Sequence, residues 1–428
     1  MLKQPIPYTN LSHVEGQTSR KNYRGEKLDK PLALILMTVL LPLFLINSGL
    51  AILSRQTILK SMYKTDAFGR TVILHSFNCG WLLKSAYLFD LLKGSLGFCG
   101  ISMQHSFSPY TQLNYSNQYN CRSGLFSLYS LHHMTGLAIE NEQQLLEKQL
   151  NGSYLDYLLL IIKSVMCFIL YGKGKEQTRH EAKIRIFNHS LANVTMQQAV
   201  NWVTSESPNE TPQLGFFINA HSINLSLSNP AFHRTLNQAD TLFADGSGIR
   251  MAAKTAGYSV KENTNGTDML PHLCQACEQQ GKSIYFLGAK PGTAEKAAAN
   301  LQATYPNLKI AGVQHGYMPK DQIEDQIAQI NASGCHVLLV AMGSPIQESW
   351  LVENQAKLRC QTALAVGGLF DFYSGQIKRS PVWIRELGLE WVWRLMQEPL
   401  KKFKRYVIGT PLFLFHVFIL NAASKGAK

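Results

Sequence analysis

The sequence predicts an α/β protein: a Rossmann-like, mostly parallel sheet with helices on both faces, preceded by a membrane-associated helical module. Three observations carry this. From about residue 184, short apolar runs alternate with helical patterns, the order that builds a parallel sheet covered on both sides. Glycine and polar residues recur directly after those runs, at the edge where open α/β sheets bind ligands. An uncharged apolar run of 23 residues, Pro31 to Leu53, stands near the amino terminus with Lys and Arg on both flanks.

A chain of 428 residues predicts two or three domains, each with ample material for a core. The net charge of +13, from 41 Lys and Arg against 28 Asp and Glu, is local rather than spread. Arg20, Lys21, Arg24, Lys27 and Lys30 precede the long apolar run, and Arg55, Lys60 and Lys64 follow it. A second group, Lys401, Lys402, Lys404 and Arg405, precedes another apolar stretch. Basic clusters beside apolar segments suit the anionic headgroups of a membrane's cytoplasmic face, so membrane lipid is the expected partner. No nucleic-acid module is visible, and nucleic acid is not expected. The eight cysteines are scattered with no secretory signal before them, which points to a reduced, cytoplasmic compartment. Cys274 and Cys277 form a C-x-x-C pair, but the segment reads as an amphipathic helix with no second ligand pair, so no metal is expected.

Residues 1–30 read as a polar, basic tail. Residues 31–173 read as the membrane-associated module. Pro31 to Leu53 is long enough at ~1.5 Å per residue to cross a bilayer core of ~30 Å. Pro42 in its middle removes a backbone hydrogen bond, so a spanning helix and a bent hairpin are both open; basic residues on both flanks favour the hairpin. Gly69-Arg70 with Val72 and Phe77, then Phe89 to Gly94 and Gly124-Leu125, resemble the order of motifs in bacterial sugar transferases, the polyprenol-phosphate phosphoglycosyltransferases. The charged parts of that pattern are absent. Ser76-Phe77-Asn78 stands for its K-F-R, Leu83-Lys84 for its catalytic Asp-Glu pair, and Gly100 to Met103 for its G-P-R-P. Phosphoryl transfer needs a carboxylate and phosphate-binding cations, so the degenerate module is expected to be a membrane platform. Tyr157 to Tyr171, interrupted by Lys163, reads as an interfacial helix, and residues 174–183 as a linker.

The second domain, residues 184–405, is expected to contain strands at Phe216 to Ile218, Thr241 to Phe243, Ser283 to Leu287, Leu308 to Val313, Val337 to Val340 and Ala363 to Val366. Between them fall helices at Asn229 to Gln238, from about Gly248, and at Thr293 to Thr304, Lys320 to Ala332 and Ile346 to Lys357. After successive strands come Asn219, Asp245, the Gly288 to Gly292 loop, Gly316-Tyr317, Gly343 to Glu348, and Gly367-Gly368 with Asp371. The Gly288 loop fits neither G-x-G-x-x-G nor a P-loop, since Thr293 stands where lysine would be needed. Three glycine loops on one sheet edge offer backbone amides and helix N-termini to an anion. A nucleotide-sugar diphosphate fits.

The same residues resemble a family. Asn219, Ala244-Asp245-Gly246, the N-G-T-D of Asn265 to Asp268, Phe286-Leu287-Gly288, His315-Gly316-Tyr317 and Met342 to Glu348 lie in order. Gly367 to Asp371, Arg379-Ser380-Pro381, and Leu389 to Arg394 ending in Glu398-Pro399 follow. Together they are similar to the WecG/TagA/CpsF glycosyltransferases. That resemblance implies an inverting transfer of a sugar of N-acetylmannosamine type from a UDP donor to a polyprenyl-diphosphate-linked acceptor, with no cofactor or required metal. It also implies a homo-oligomer.

An inverting transfer needs one base for the acceptor hydroxyl, for which Asp245 is the candidate, with Asn219 beside it. The charge on the departing UDP must be met by cations or amide dipoles; Gln347, Arg394, Lys401 and Lys404 are the candidates. Val313, Gly316, Tyr317 and Asp371 match positions that line the nucleotide pocket, and Gly343 opens one of the glycine loops. Phe217 stands where many family members carry threonine, which leaves the sugar's identity open.

Each residue has a plainer reading beside the chemical one. Asp245 could be a turn aspartate, Asn219 a helix cap, Gln347 and Glu348 a first-turn pair, and the basic residues a lipid-facing strip. Residues 406–428 read as an apolar membrane-proximal tail. A bifunctional enzyme, or a scaffold whose amino-terminal half recruits or makes the lipid-linked intermediate, is the alternative to a plain transferase.

Overall fold

The computed structural model describes residues 24–66, 71–103, 121–135, 137, 142–171, 181–207, 210–317 and 319–426. Gly69-Arg70 of the sugar-transferase likeness, residues 1–23 of the tail and residues 174–180 of the linker lie outside them. The chain forms two compact units, residues 1–130 with 141–162, and residues 131–140 with 163–428.

In chain order the amino-terminal elements are α1 (Asp29–Leu53), β1 (Leu59–Thr65), β2 (Thr71–Phe77), α2 (Tyr87–Lys93), β3 (Gly97–Cys99), β4 (Gly124–Phe126), α3 (Leu128–Thr135), α4 (Glu142–Leu150) and α5 (Tyr154–Tyr171). α1 runs unbroken through Pro42, and the helix from Gly25 to Leu53 is long and apolar enough to cross a membrane. Leu34, Ile35, Val39, Leu45 and Ile46 are exposed. A narrow face is held by polar handles. The Asp29 carboxylate accepts from the Phe98 amide at 3.0 Å and from the Tyr157 hydroxyl, and the Asn47 amide brackets the Trp81 backbone at 2.8 and 3.0 Å. β1 and β2 form an antiparallel hairpin. Asp90 on α2 accepts from the His75 amide at 2.8 Å and lies 2.6 Å from its ring Nδ1. Leu83-Lys84, in the place of the sugar transferases' acidic pair, falls in a short 3-10 turn, Leu83–Ala86.

The second unit is built on one eight-stranded sheet. Its elements are β5 (Lys183–Ile186), β6 (His189–Ala192), α6 (Met196–Val203), β7 (Gln213–Ile218), α7 (Ala220–Ser228), α8 (Pro230–Leu236), β8 (Thr241–Ala244), α9 (Ser247–Thr255) and α10 (Gly266–Gln280). There follow β9 (Ser283–Gly288), α11 (Thr293–Thr304), β10 (Lys309–Gln314), α12 (Ile323–Ala332), β11 (Val337–Ala341), α13 (Ile346–Asn354), β12 (Thr362–Ala365) and α14 (Leu369–Tyr373). α15 (Val382–Glu386), α16 (Glu390–Gln397), α17 (Pro399–Phe403) and α18 (Gly409–Gly426) close the chain. The strand order is β10-β9-β11-β12-β7-β8-β6-β5, and every pairing but that of β5 with β6 is parallel. The expected strands are present, and among the elements not expected are β5, β6 and the helices α6 and α7. Chain order reverses between β8 and β9, and β12 returns to the centre beside β7. A ligand crevice belongs at such a switch, beyond the strands' carboxyl ends.

Alternation of side chains along the strands gives two cores, one on each face. Phe216 and Ile218 pack with Leu338 and Val340 against α7, α8, α9, α12 and α13. Phe217 and Phe243 pack with Leu339 and Phe286 against α6, α10, α11 and α14. Cys274 and Cys277 are fully buried on the core face of α10. Residues 406–428, expected as a separate tail, contribute α18, whose Phe413 and Val417 join the first core while Leu412, Leu414, Phe415, Phe418 and Ile419 stay exposed. The carboxy-terminal helix is thus a core element with an apolar outer face. Within this unit the buried Glu386 carboxylate of α15 accepts from Lys163 Nζ at 2.5 Å and lies 3.3 Å from His132 Nε2.

At the end of β9 the backbone turns tightly over β11. Gly288 has φ +133°, and a Cβ there would lie 2.4 Å from the Ala341 carbonyl oxygen. Replacing Gly288 by Ala is expected to cost about 2–3 kcal/mol through strain and overpacking, read as a lowered midpoint in thermal unfolding of the full chain.

Candidate active site

One crevice of about 740 Å³ lies at the carboxyl ends of the central strands. Asn219 ends β7 and caps α7: its Oδ1 accepts from the backbone amides of His221 and Ser222 at 3.0 and 3.1 Å. With the carbonyl engaged, Nδ2 points across the strand gap and donates to Asp245 Oδ2 at 3.0 Å. Capping and functional placement are therefore one arrangement. Asp245 follows β8, its amide bonded to the Ile218 carbonyl at 2.8 Å, and Gly246 at φ +89° turns the chain away beneath it. Burial pushes the Asp245 carboxyl above its usual range, against the Asn219 hydrogen bond and the charges of Arg405 and Arg394. A carboxyl in that position takes a proton more readily than one in water.

The glycine loops after β11 and β12 are tied together by Gln347. Its Oε1 accepts from the Gly343 amide at 3.1 Å and the Gly367 amide at 2.9 Å, and its Nε2 donates to Glu348 at 2.9 Å. The sequence reading placed Gln347 against a leaving group; the structure engages its amide in holding two loops in register. Asp371, on α14, sits with Arg394 beside Gly368, where a Cβ would lie 3.3 and 3.4 Å from the two side chains.

Arg394 reaches the crevice because the carboxy-terminal segment folds back over the sheet edge. The Asp268 carboxylate at the start of α10 accepts from the Arg379 guanidinium, and Gln397 brackets the Lys378 backbone at 3.0 and 2.9 Å. Further on, Asn224 of α7 donates to the Gly409 carbonyl at 2.7 Å. Arg394 lies over the Phe372 ring at 4.4 Å with its Nε buried and without a hydrogen bond. Five cations, Lys290, Arg394, Lys401, Lys402 and Arg405, line the crevice against three carboxylates, Asp245, Asp371 and Glu398. Burial and the charges of Arg394 and Arg405 lower the Lys402 pKa. The cations repel one another, a field that suits a polyanionic ligand.

Of the residues expected from the sequence, Asn219, Asp245, Tyr317, Gly343, Gln347, Asp371, Arg394 and Lys401 line the crevice. Val313 lies within β10 and packs against the second core. The Gly316 amide donates to the Ala289 carbonyl at 3.0 Å, so close to Gly288 that a Cβ there would lie 3.1 Å from its Cα, and Lys404 is exposed; none of these three is a lining residue. In place of Lys404 the chain presents Lys402 and Arg405. The spacing of Glu398, Lys402 and Arg405, four then three residues, is the one-face spacing of a helix and was readable in the sequence. His221 and Lys290 also line the crevice. Phe217 forms an apolar wall, packed on Phe243 with ring centroids 5.5 Å apart.

The sequence model of the glycosyl transferase WecG/TagA/CpsF family matches residues 184–426. Similar proteins include the N-acetylglucosaminyldiphosphoundecaprenol N-acetyl-beta-D-mannosaminyltransferases of Staphylococcus aureus strains MW2, MRSA252 and NCTC 8325. Each is 26% identical over 255 residues, which cover 59% of this chain and 99% of the relative. With more than half its length matched, and with the matched motifs gathered around one crevice, the chain belongs to the WecG/TagA/CpsF family of glycosyltransferases.

Proposed function

We propose that the protein transfers a sugar, of N-acetylmannosamine type or a related hexose or uronic acid, from a UDP-sugar to a polyprenyl-diphosphate-linked acceptor, with inversion. The relatives' names specify an undecaprenyl-diphosphate-linked acceptor. The observation that carries the reading is Asp245, held by Asn219 in a crevice lined by five cations.

In the proposed step the acceptor hydroxyl oxygen attacks the anomeric carbon of the donor and forms the new C–O bond as the bond from that carbon to the UDP oxygen breaks. Asp245 takes the hydroxyl proton as general base. UDP departs with the bonding electrons, and Arg394, Lys401 and the amides of the Gly343 and Gly367 loops meet the charge it gains. Gln347 is a positioning residue that fixes those loops. These cations offer the charge compensation that a divalent ion gives elsewhere, so turnover is expected to survive a metal chelator. The acceptor is a membrane lipid, and α1 supplies the anchor that keeps the enzyme at its surface, with the catalytic domain on the cytoplasmic side. The setting is cell-surface polysaccharide assembly.

Replacing Asp245 by Asn is expected to lower turnover by about 10²–10⁴-fold, with little change in UDP affinity by calorimetry; near-native turnover removes the base assignment. Because the carboxyl's pKa is raised and the base acts deprotonated, native turnover should fall as pH drops through a value above the ordinary carboxylate range. Replacing Gln347 by Ala should weaken UDP binding by about tenfold, since two amides lose a shared acceptor; titration of UDP into the variant measures this.

A further inference from the structure

The clamp between the two glycine loops works with the Gln347 amide in only one of its two orientations. The backbone N–H groups of Gly343 and Gly367 can only donate, so the Gln347 oxygen must face them, and it does so at 3.1 and 2.9 Å. Turned by half a rotation, the side chain would fill the same space with its NH₂ group against both donors. The choice is made on the other side of the amide. Gln347 Nε2 donates to Glu348 Oε1 at 2.9 Å, and the same oxygen accepts from the Ser344 hydroxyl at 2.7 Å.

Glu348 stands in the first turn of α13, 1% exposed, and is not a lining residue of the crevice. Its two partners, Ser344 and Gln347, both line it. The second carboxyl oxygen, Oε2, is buried without a hydrogen bond. A glutamate that only complemented the helix dipole would gain from being charged and would need no burial, whereas burying a carboxyl is costly. Burial raises the Glu348 pKa above the usual carboxylate range. The acid form, with its proton on Oε2, leaves both acceptor positions of Oε1 to Ser344 and Gln347.

We propose that Glu348 is a second positioning residue of the sugar transfer: its Oε1 fixes the Gln347 amide with the oxygen toward Gly343 and Gly367, and so holds both loops at the spacing that receives the donor's diphosphate. This rests on the transferase reading above and extends it to a residue outside the crevice. Glu348 touches neither donor nor acceptor. It acts through Gln347, so its effect exists only while Gln347 is present.

The test titrates UDP by calorimetry into the full chain in detergent. Glu348→Met keeps the side-chain volume and removes the acceptor. Glu348→Gln keeps both, with an N–H where the protonated acid has its O–H. The first should weaken UDP by about tenfold and the second by less than about threefold. In a Gln347→Ala background, Glu348→Met should add less than about twofold, because two residues that act as a unit are not additive. Should Glu348→Met not fold, Gln347→Glu is compared with the swapped pair Gln347→Glu and Glu348→Gln. Two adjacent acids should weaken UDP by about tenfold, and the swap should recover most of the loss. Native-like affinity in Glu348→Met, equal weakening in Glu348→Gln, a full further loss in the Gln347→Ala background, or no recovery in the swapped pair would overturn the proposal. A native chain that binds no UDP would instead remove the donor reading itself, and the proposal with it.

Discussion

The hydrogen bond from Asn219 to Asp245 is the contact on which the site depends. It joins the ends of two adjacent parallel strands, and it exists only because the other half of the Asn219 amide caps α7. One side chain thus ends a strand, starts a helix and orients a carboxylate whose burial favours the protonated form. An unpaired carboxylate would be costly in such a place. The Asn219 hydrogen bond and the charges of Arg405 and Arg394 offset part of that cost.

Four of the five crevice cations, Arg394, Lys401, Lys402 and Arg405, belong to a segment that begins about 150 residues later in the chain. Their position follows from separate anchors, Asp268 with Arg379, Gln397 with the Lys378 backbone, and Asn224 with the Gly409 carbonyl. Beyond the last of these, Phe413 and Val417 enter the core. The basic segment is therefore strung between fixed points over the strand ends. Its inner residues line the crevice with positive charge, and its continuation carries exposed apolar side chains.

Much of this was legible in the sequence. Alternating apolar runs gave the parallel sheet, and the residues directly after them gave the crevice, because a strand's end fixes where the next residue lies. Side-chain roles were less accessible. Gln347 looked like a donor for a ligand, but the two loops it binds are brought together only by the pairing of β11 with β12. Lys402 and Arg405 were legible too, since they stand four and seven residues after Glu398 on one helical face, a spacing that Lys404 does not share. The β5–β6 hairpin was hidden since its turn uses Phe187 and Asn188, both at positive φ, where the sequence signal is ordinarily Asn-Gly. The tail at 406–428 read as apolar because its composition reports the exposed face, whereas the entry of Phe413 and Val417 into the core is set by packing against the sheet's helices.

The most direct measurement is product analysis by mass spectrometry after incubating the purified full chain with a panel of UDP-sugars and a prenyl-diphosphate-linked N-acetylglucosamine. The account predicts that one sugar is added to the lipid-linked acceptor, with inverted anomeric configuration and one UDP released per product. No addition from any UDP-sugar, or release of free sugar and UDP without a lipid-linked product, would contradict it.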